Sequence, residues 1–303
     1  MRLGVDIGGT KTEAVAVDGT GGILHRLRLV TGFGDSAVAE TAISAITGIA
    51  DLCGIAPSEF ASIGIGIPGV VDSRSGLVSH AVNLGLAGLD LAGAISDRLG
   101  VDVRIDNDVT AAAYGTWQFL RPGASMGYLN LGTGLAAGLV IDGKPWRGAR
   151  GGAGEIGHIP VDPNGLQCGC GQRGCLETIA SGSGIARAWP SDAPYPAREL
   201  FDAADAGDQR AIEIRAGLSV GVASAVRILI LTADVETIVI GGGLSHLGDQ
   251  LLSDIRGVLS TWAADSPFLA SLDLASRVQL VPQGFPAAAV GAALIGGQVQ
   301  EYV

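Results

Sequence analysis

Three cysteines, Cys168, Cys170 and Cys175, form a C-x-C-x4-C cluster in the stretch CGCGQRGC. Glycines between them let the loop fold around one point. In a chain expected to be cytoplasmic, such a cluster reads as metal-binding before it reads as a disulfide. Three thiolates need one more ligand to close a tetrahedral zinc site. Of the four histidines, His25, His80, His158 and His246, His158 is nearest to Cys168. Cys53 stands alone on an expected helix face and reads as core.

A second signal is a repeat. Asp6-Ile-Gly8-Gly9-Thr10 leads into a small-apolar strand ending at Asp18-Gly19, and Asn130-Leu-Gly132-Thr133-Gly134 leads into a similar strand ending at Asp142-Gly143. Both ends are offset by 124 residues, which points to two related half-structures. A turn whose backbone N–H groups converge is an anion nest, and glycine lets a phosphate approach the backbone. Lys11 would add a cation, and Asp6 could hold a metal-bound water of a magnesium-nucleotide complex. Neither turn matches G-x-x-x-x-G-K-[ST], which argues against a P-loop enzyme.

The remaining acids and amides are ambiguous one by one. Asp106-Asn107-Asp108 follows an expected strand and precedes an apolar helix. It fits an N-cap and equally a general base with a substrate-orienting amide. Glu155 and Glu177 flank the cysteine loop. With Asn107, Asp108 and His158 they supply the hydrogen-bonding groups that a polyhydroxylated ligand demands. Gly64-Ile-Gly66-Ile-Pro-Gly69, with Asp90 further on, satisfies a dinucleotide fingerprint in letters only. Its first two glycines lie inside an alternating strand, so the dinucleotide reading is rejected.

The elements that must carry these residues follow from periodicity. Strands are expected at 2–7, 11–17, 23–30, 63–67, 101–105, 126–131, 135–141, 237–240 and 278–281. Helices are expected at 36–52, 89–99, 109–117, about 208–231 and about 287–299. Mixed order of this kind gives an α/β class. The chain has 303 residues, 48 of them glycine, and 48% are hydrophobic, enough for a large core. Its net charge of −11 argues against nucleic-acid binding, where a basic stripe is expected. Mean hydropathy is +0.40, but charged and polar breaks argue against a membrane span, and the acid at position 6 argues against a signal peptide.

Taken together, the segments resemble the ROK family (repressor, open reading frame, kinase) of sugar kinases. The resemblance covers 6–12 (DIGGTKT), 64–72 (GIGIPGVVD), 106–108 (DND), 129–158 (ending in GEIGH), 168–177 (CGCGQRGCLE) and 240–243. Two departures stand out: Ala136 and Ala137 replace usual glycines, and Thr110 stands where Asn is frequent.

The resemblance implies an actin-like, duplicated ribonuclease H-like fold of two α/β domains with an interdomain cleft. A small domain at 1–108, completed by a helix at about 287–303, would face a large domain at 109–286 with the zinc loop. It implies ATP bound through Asp6, Gly8, Gly9, Thr10 and Lys11, through Gly132, Thr133 and Gly134, and through Gly241, Gly242 and Gly243 beside the adenosine. Hexose contacts fall on Asn107, Asp108, Glu155, His158 and Glu177, and structural zinc on His158, Cys168, Cys170 and Cys175. The implied reaction is phosphoryl transfer from Mg-ATP to the 6-hydroxyl of glucose with Asp108 as general base. N-acetylglucosamine, mannose or fructose are the alternative acceptors. Partners would be hexose and ATP, with no nucleic acid or membrane, in a cytoplasmic homodimer. A non-catalytic sugar-responsive regulator is the rival class. Repressors of the family carry a helix-turn-helix domain before the first phosphate turn, and with Asp6 so early none is expected.

Overall fold

The computed structural model describes residues 1–72 and 75–297. The chain folds into two compact units. The first holds Met1–Arg121, Gly138–Ala153 and the segment from Gly284 onward, and the second holds Pro122–Ala137 and Gly154–Gln283. The first unit therefore runs past residue 108 to Arg121 and takes in a segment around position 145.

The first unit opens with β1 (Arg2–Ile7), β2 (Lys11–Val17) and β3 (Ile23–Val30), an antiparallel meander. Helix α1 (Asp35–Cys53) and strand β4 (Ile63–Ile67) follow. A small three-stranded sheet comes next, built from β5 (Val70–Asp72), β6 (Leu77–Ala81) and β7 (Leu86–Asp90). Then come α2 (Leu91–Leu99), β8 (Arg104–Asn107) and α3 (Asp108–Leu120). The main sheet has the order β3-β2-β1-β4-β8, with β4 parallel to both β1 and β8.

The second sheet has β9 (Met126–Leu131), β10 (Leu135–Ile141), β11 (Lys144–Trp146), β12 (Thr237–Gly241) and β13 (Val278–Leu280), in the order β11-β10-β9-β12-β13. Numbered within each half, both sheets read 3-2-1-4-5. The duplication inferred from the 124-residue offset is thus present in the topology. The helices of the second unit are α4 (Gly182–Ala188), α5 (Pro196–Asp205), α6 (Gln209–Ala233), α7 (Asp249–Asp265) and α8 (Pro267–Ser271). Helix α9 (Ala287–Gly296) returns to the first unit. The part of the expected C-terminal helix at 298–303 lies outside the described residues.

Several boundaries moved, two of them for clear physical reasons. The strand expected at 101–105 is Arg104–Asn107, because parallel register with β4 (Gly64 to Arg104, Ile67 to Asn107) decides its length. Of the helix expected at 89–99, Leu89 and Asp90 belong to β7, and the Asp90 side chain caps α2 by accepting from the Gly93 N–H at 2.8 Å. Helices α1 and α6 are long and apolar enough to cross a bilayer by length and composition, yet about half of each such stretch is buried in its own unit.

Strand alternation explains the first core. On β2, Ala14 and Ala16 pack toward α1, with Val38, Ala42, Ile46 and Ile49, while Val15 and Val17 pack with Ala289, Val290 and Ala293 of α9. Helix α9 lies so close to the sheet that a Cβ on Gly4 or Gly64 would overlap the carbonyls of Ala289 or Ala292. The same holds where α9 meets α3: a Cβ on Gly291 would overlap the Ala111 carbonyl, and one on Gly115 the Ala287 carbonyl. By contrast, a Cβ on Gly217 in α6 would enter open space, with no atom of a neighbouring residue within 4 Å. Gly291→Ala is therefore expected to cost at least the usual overpacking penalty of about 1–3 kcal/mol. Gly217→Ala should stabilise by about 0.5–1 kcal/mol through helix propensity. Thermal unfolding of the two variants should move in opposite directions.

Candidate active site and metal centre

In the first unit the chemistry collects at the carboxyl ends of parallel β1, β4 and β8, the usual place for ligands on open α/β sheets. Asp6, Gly66 and Asp106 stand in register across these strands. The glycine in the middle leaves a gap, and the start of α3 fills it: a Cβ on Gly66 would sit 3.3 Å from the Asp108 Cα. This is how Asp6 and Asp108 come together. Burial pushes the Asp6 carboxyl up to about 8, helped by the Asp108 and Glu13 carboxylates and opposed by Lys11. Glu13, in register with Asp6, is held low against its own burial by Arg26 and Arg28, whose Nε atoms lie 2.5 and 2.6 Å from its Oε1.

The DND motif is divided among three tasks. Asn107 is the N-cap of α3: its Oδ1 accepts from the N–H groups of Val109 (2.9 Å) and Thr110 (3.1 Å). Its Nδ2 donates to the Gly69 carbonyl at 3.3 Å. Asp106 is buried and ion-paired to Arg147. Asp108 opens the helix, where the N-terminal dipole favours a carboxylate. The glycines that mimic a dinucleotide fingerprint have local duties here: Gly64 admits α9, Gly66 admits Asp108, and Gly69 receives Asn107.

The first Gly/Thr turn is a tight hairpin closed by the Gly8 N–H on the Lys11 carbonyl at 3.0 Å. Gly9, Thr10 and Lys11 are exposed. Asn83, which sequence reasoning did not single out, lies beside it; a Cβ on Gly9 would lie 3.3 Å from Asn83 Nδ2.

In the second unit, Gly132, Thr133 and Gly134 follow β9. The N–H groups of Gly182 and Ser183, at the start of α4, donate to the Gly132 and Thr133 carbonyls at 2.8 and 3.0 Å. Glu177 reaches the same turn, where its Oε2 accepts from the Leu135 N–H at 3.0 Å. Gly241 and Gly242 cross the end of β9. A Cβ on Gly242, whose φ is +81°, would lie 2.7 Å from Asn130 Oδ1. Gly243 is exposed at the start of a 3-10 turn, Gly243–Leu247.

Glu155 and His158 bracket another 3-10 turn, with the His158 N–H on the Glu155 carbonyl at 3.2 Å. The GEIGH glycines bring it against β10: a Cβ on Gly154 (φ +100°) would overlap the Ala137 carbonyl, and one on Gly157 the Leu135 carbonyl.

His158, Cys168, Cys170 and Cys175 converge, with one ligand atom from each within 4.8 Å of the others. Cys168 Sγ lies 3.7 Å from His158 Nδ1, and Cys170 Sγ lies 3.7 Å from Cys175 Sγ. Two thiolates bound at about 2.3 Å in a tetrahedron stand about 3.8 Å apart, so the donors fit a zinc ion in type and spacing. Hydrogen bonds from Gln172 lower the exposed Cys170 thiol to about 6, and burial with neighbouring thiols raises Cys175 to about 12. The four cysteines are free of disulfides.

The ROK family model matches residues 2–298. A glucokinase of Halalkalibacterium halodurans is 34% identical over 287 residues, covering 86% of each chain. Among solved structures, a ROK family glucokinase from Streptomyces griseus in complex with glucose and AMPPNP is 30% identical. It superposes with a TM-score of 0.80 over 97% of this chain and 98% of that one. A ROK hexokinase from Thermus thermophilus is 29% identical, with a TM-score of 0.79 and 97% coverage of both chains. This chain belongs to the ROK family.

The Asp6 environment makes a measurable pH effect in the absence of nucleotide. Between the ordinary carboxyl value of 3.8 and about 8, folded Asp6 keeps a proton that the unfolded chain has released. Its contribution to stability is therefore complete below the lower value and is lost as pH rises toward the upper one. Across about pH 5 to 8, wild-type melting temperature should fall relative to Asp6→Asn. Parallel pH profiles would contradict the assigned environment.

Proposed function

We propose that this protein is an ATP-dependent hexose kinase that phosphorylates the 6-hydroxyl of glucose. The observation that carries the reading is the placement of Asp108 at the head of α3, beside Asp6 and in the same unit as the exposed Gly9–Lys11 stretch of the first turn. A base and a phosphate nest are the parts that phosphoryl transfer requires. The sugar bound by the Streptomyces griseus relative supports glucose as acceptor.

Asp108 accepts the proton of the 6-hydroxyl as that oxygen forms a bond to the γ-phosphorus. The bond from that phosphorus to the bridging oxygen breaks, and ADP leaves with its electron pair. Base catalysis of this kind is worth about 10²–10⁴-fold. Lys11 and the N–H groups of Gly9 and Thr10 hold the phosphates, as do those of Thr133 and Gly134, while Gly8 and Gly132 close the two turns and Gly241, Gly242 and Gly243 lie against the adenosine. Asn107, Glu155, His158 and Glu177 orient the sugar. Asp6 offers magnesium a hard oxygen donor, and the ion would neutralise charge on the phosphates.

Zinc held by His158, Cys168, Cys170 and Cys175 would have four protein ligands, so it would brace the loop and would not serve as a Lewis acid. His158 Nδ1 faces Cys168, which leaves Nε2 for the sugar. The same reading includes a homodimer. Helix α6 leaves Ile212, Val220 and Leu231 at 40%, 43% and 48% exposure, apolar surface that a second copy would cover.

ADP release should be measured with Mg-ATP and glucose, N-acetylglucosamine, mannose or fructose. Turnover fastest with glucose is expected; a different best sugar would move the substrate, and silence on all four with folded protein would favour the regulator class. Asp108→Asn should lose turnover by about 10²-fold or more while still binding sugar. Cys170→Ser should lose zinc and sugar affinity together, and full zinc occupancy in that variant would refute the assigned ligand set.

A further inference from the structure

We propose that Arg147 is a positioning residue for the catalytic base, acting through Asp106. The inference rests on the kinase reading for its activity test, though not for its geometry. Arg147 follows β11 and reaches the carboxyl end of β8. Its Nε donates to Asp106 Oδ2 at 2.9 Å and its Nη2 donates to the same oxygen. Its Nη1 lies 3.4 Å from the Pro145 carbonyl, and its own carbonyl accepts from the Ala153 N–H at 3.2 Å. Arg147 is thus fixed at both its head and its backbone.

Asp106 is 5% exposed and two residues from the base. Its second oxygen, Oδ1, accepts the Asn107 N–H at 2.9 Å. Asn107 in turn caps the first turn of α3, in which Asp108 is the first residue. One guanidinium therefore holds one carboxylate, that carboxylate holds the strand-to-helix corner, and the corner sets the direction of the Asp108 side chain. Below, Gly66 approaches the Asp108 Cα, so a shift of the corner meets backbone on one side and moves the base toward the other. Removing Arg147 leaves a buried carboxylate without its counter-charge. Asp106 Oδ2 then lacks both guanidinium donors, the carboxylate turns away, and its hold on the Asn107 N–H changes.

This differs from a plain stabilising ion pair in what it makes kinetic. A base displaced by about 1 Å can lose on the order of 10² in rate without any loss of substrate binding. The full chain should be compared as wild type, Arg147→Met, Arg147→Lys, Arg147→Ala, Asp106→Asn and the Asp106→Asn/Arg147→Met double variant. Arg147→Met should lower kcat on the order of 10²-fold, with KM for sugar and ATP changed by less than about threefold. Arg147→Lys should recover part of the rate, and millimolar guanidinium should raise kcat of Arg147→Ala. The double variant should be no slower than the slower single variant, because both act through one link.

A kcat for Arg147→Met within about threefold of wild type, or a loss confined to KM, would overturn the proposal. So would independent, multiplicative losses in the double variant. Amide hydrogen exchange gives a reading that needs no turnover: Asn107, Val109 and Thr110 should lose protection in Arg147→Met while amides of α6 keep theirs. Unchanged protection at those three amides would refute the link. If wild type turned over no sugar, the kinase reading would fail and the exchange result alone would decide the Arg147 inference.

Discussion

The close approach of α9 to β1, β4 and α3 is the constraint on which the first unit depends. Gly4, Gly64, Gly115 and Gly291 occupy the crossing points, where any Cβ would overlap a carbonyl of the partner backbone. Such close packing leaves a helix little room to slide, because interiors are packed near crystal density. Helix α3 is held by α9 along one side and by β4 beneath. Its first residue is Asp108. The position of Asp108 is therefore set by backbone packing that extends to Ala287, at the start of α9.

On that frame the charges are arranged by opposition. Burial and the neighbouring Asp108 and Glu13 carboxylates raise the energy of the ionised form of Asp6, and Lys11 only partly offsets this. Glu13, one strand away, is satisfied twice over by Arg26 and Arg28, and Asp106 by Arg147. The acids meant to stay charged have arginine partners. Among the described residues no arginine does this for Asp6, and burial with two neighbouring carboxylates outweighs Lys11 there.

Much of this was legible in the sequence, and the reasons differ from residue to residue. The cysteines and His158 could be read because metal ligation needs particular atoms at short range. The duplication could be read because both turns keep Gly and Thr at one offset, and the paired 3-2-1-4-5 sheets follow from it. The DND motif was readable only as a choice between cap and base, and the structure distributes the roles: Asn107 caps, Asp106 anchors. Arg147 and Asn83 left no local signal, since each meets its partner across tens of residues of chain. The strand end at Asn107 was missed because its pairing with Ile67 sets it, and that partner lies forty residues away in the chain.

The duplicated turns also show how one motif acquires two characters. The first, Gly8 to Lys11, is closed by backbone bonds, Gly8 N–H to the Lys11 carbonyl and Thr31 N–H to the Thr10 carbonyl, and keeps Gly9, Thr10 and Lys11 exposed. The second is tied from its own unit: Gly182 and Ser183 donate to its carbonyls, and Glu177 takes the Leu135 N–H. Glu177 lies two residues past Cys175, so the braced cysteine loop and the second turn share a short stretch of backbone. A metal that fixes Cys175 restrains Glu177, and Glu177 restrains the turn. A metal held there would in this way matter to a turn it never touches, by limiting the conformations open to the loop that carries Glu177.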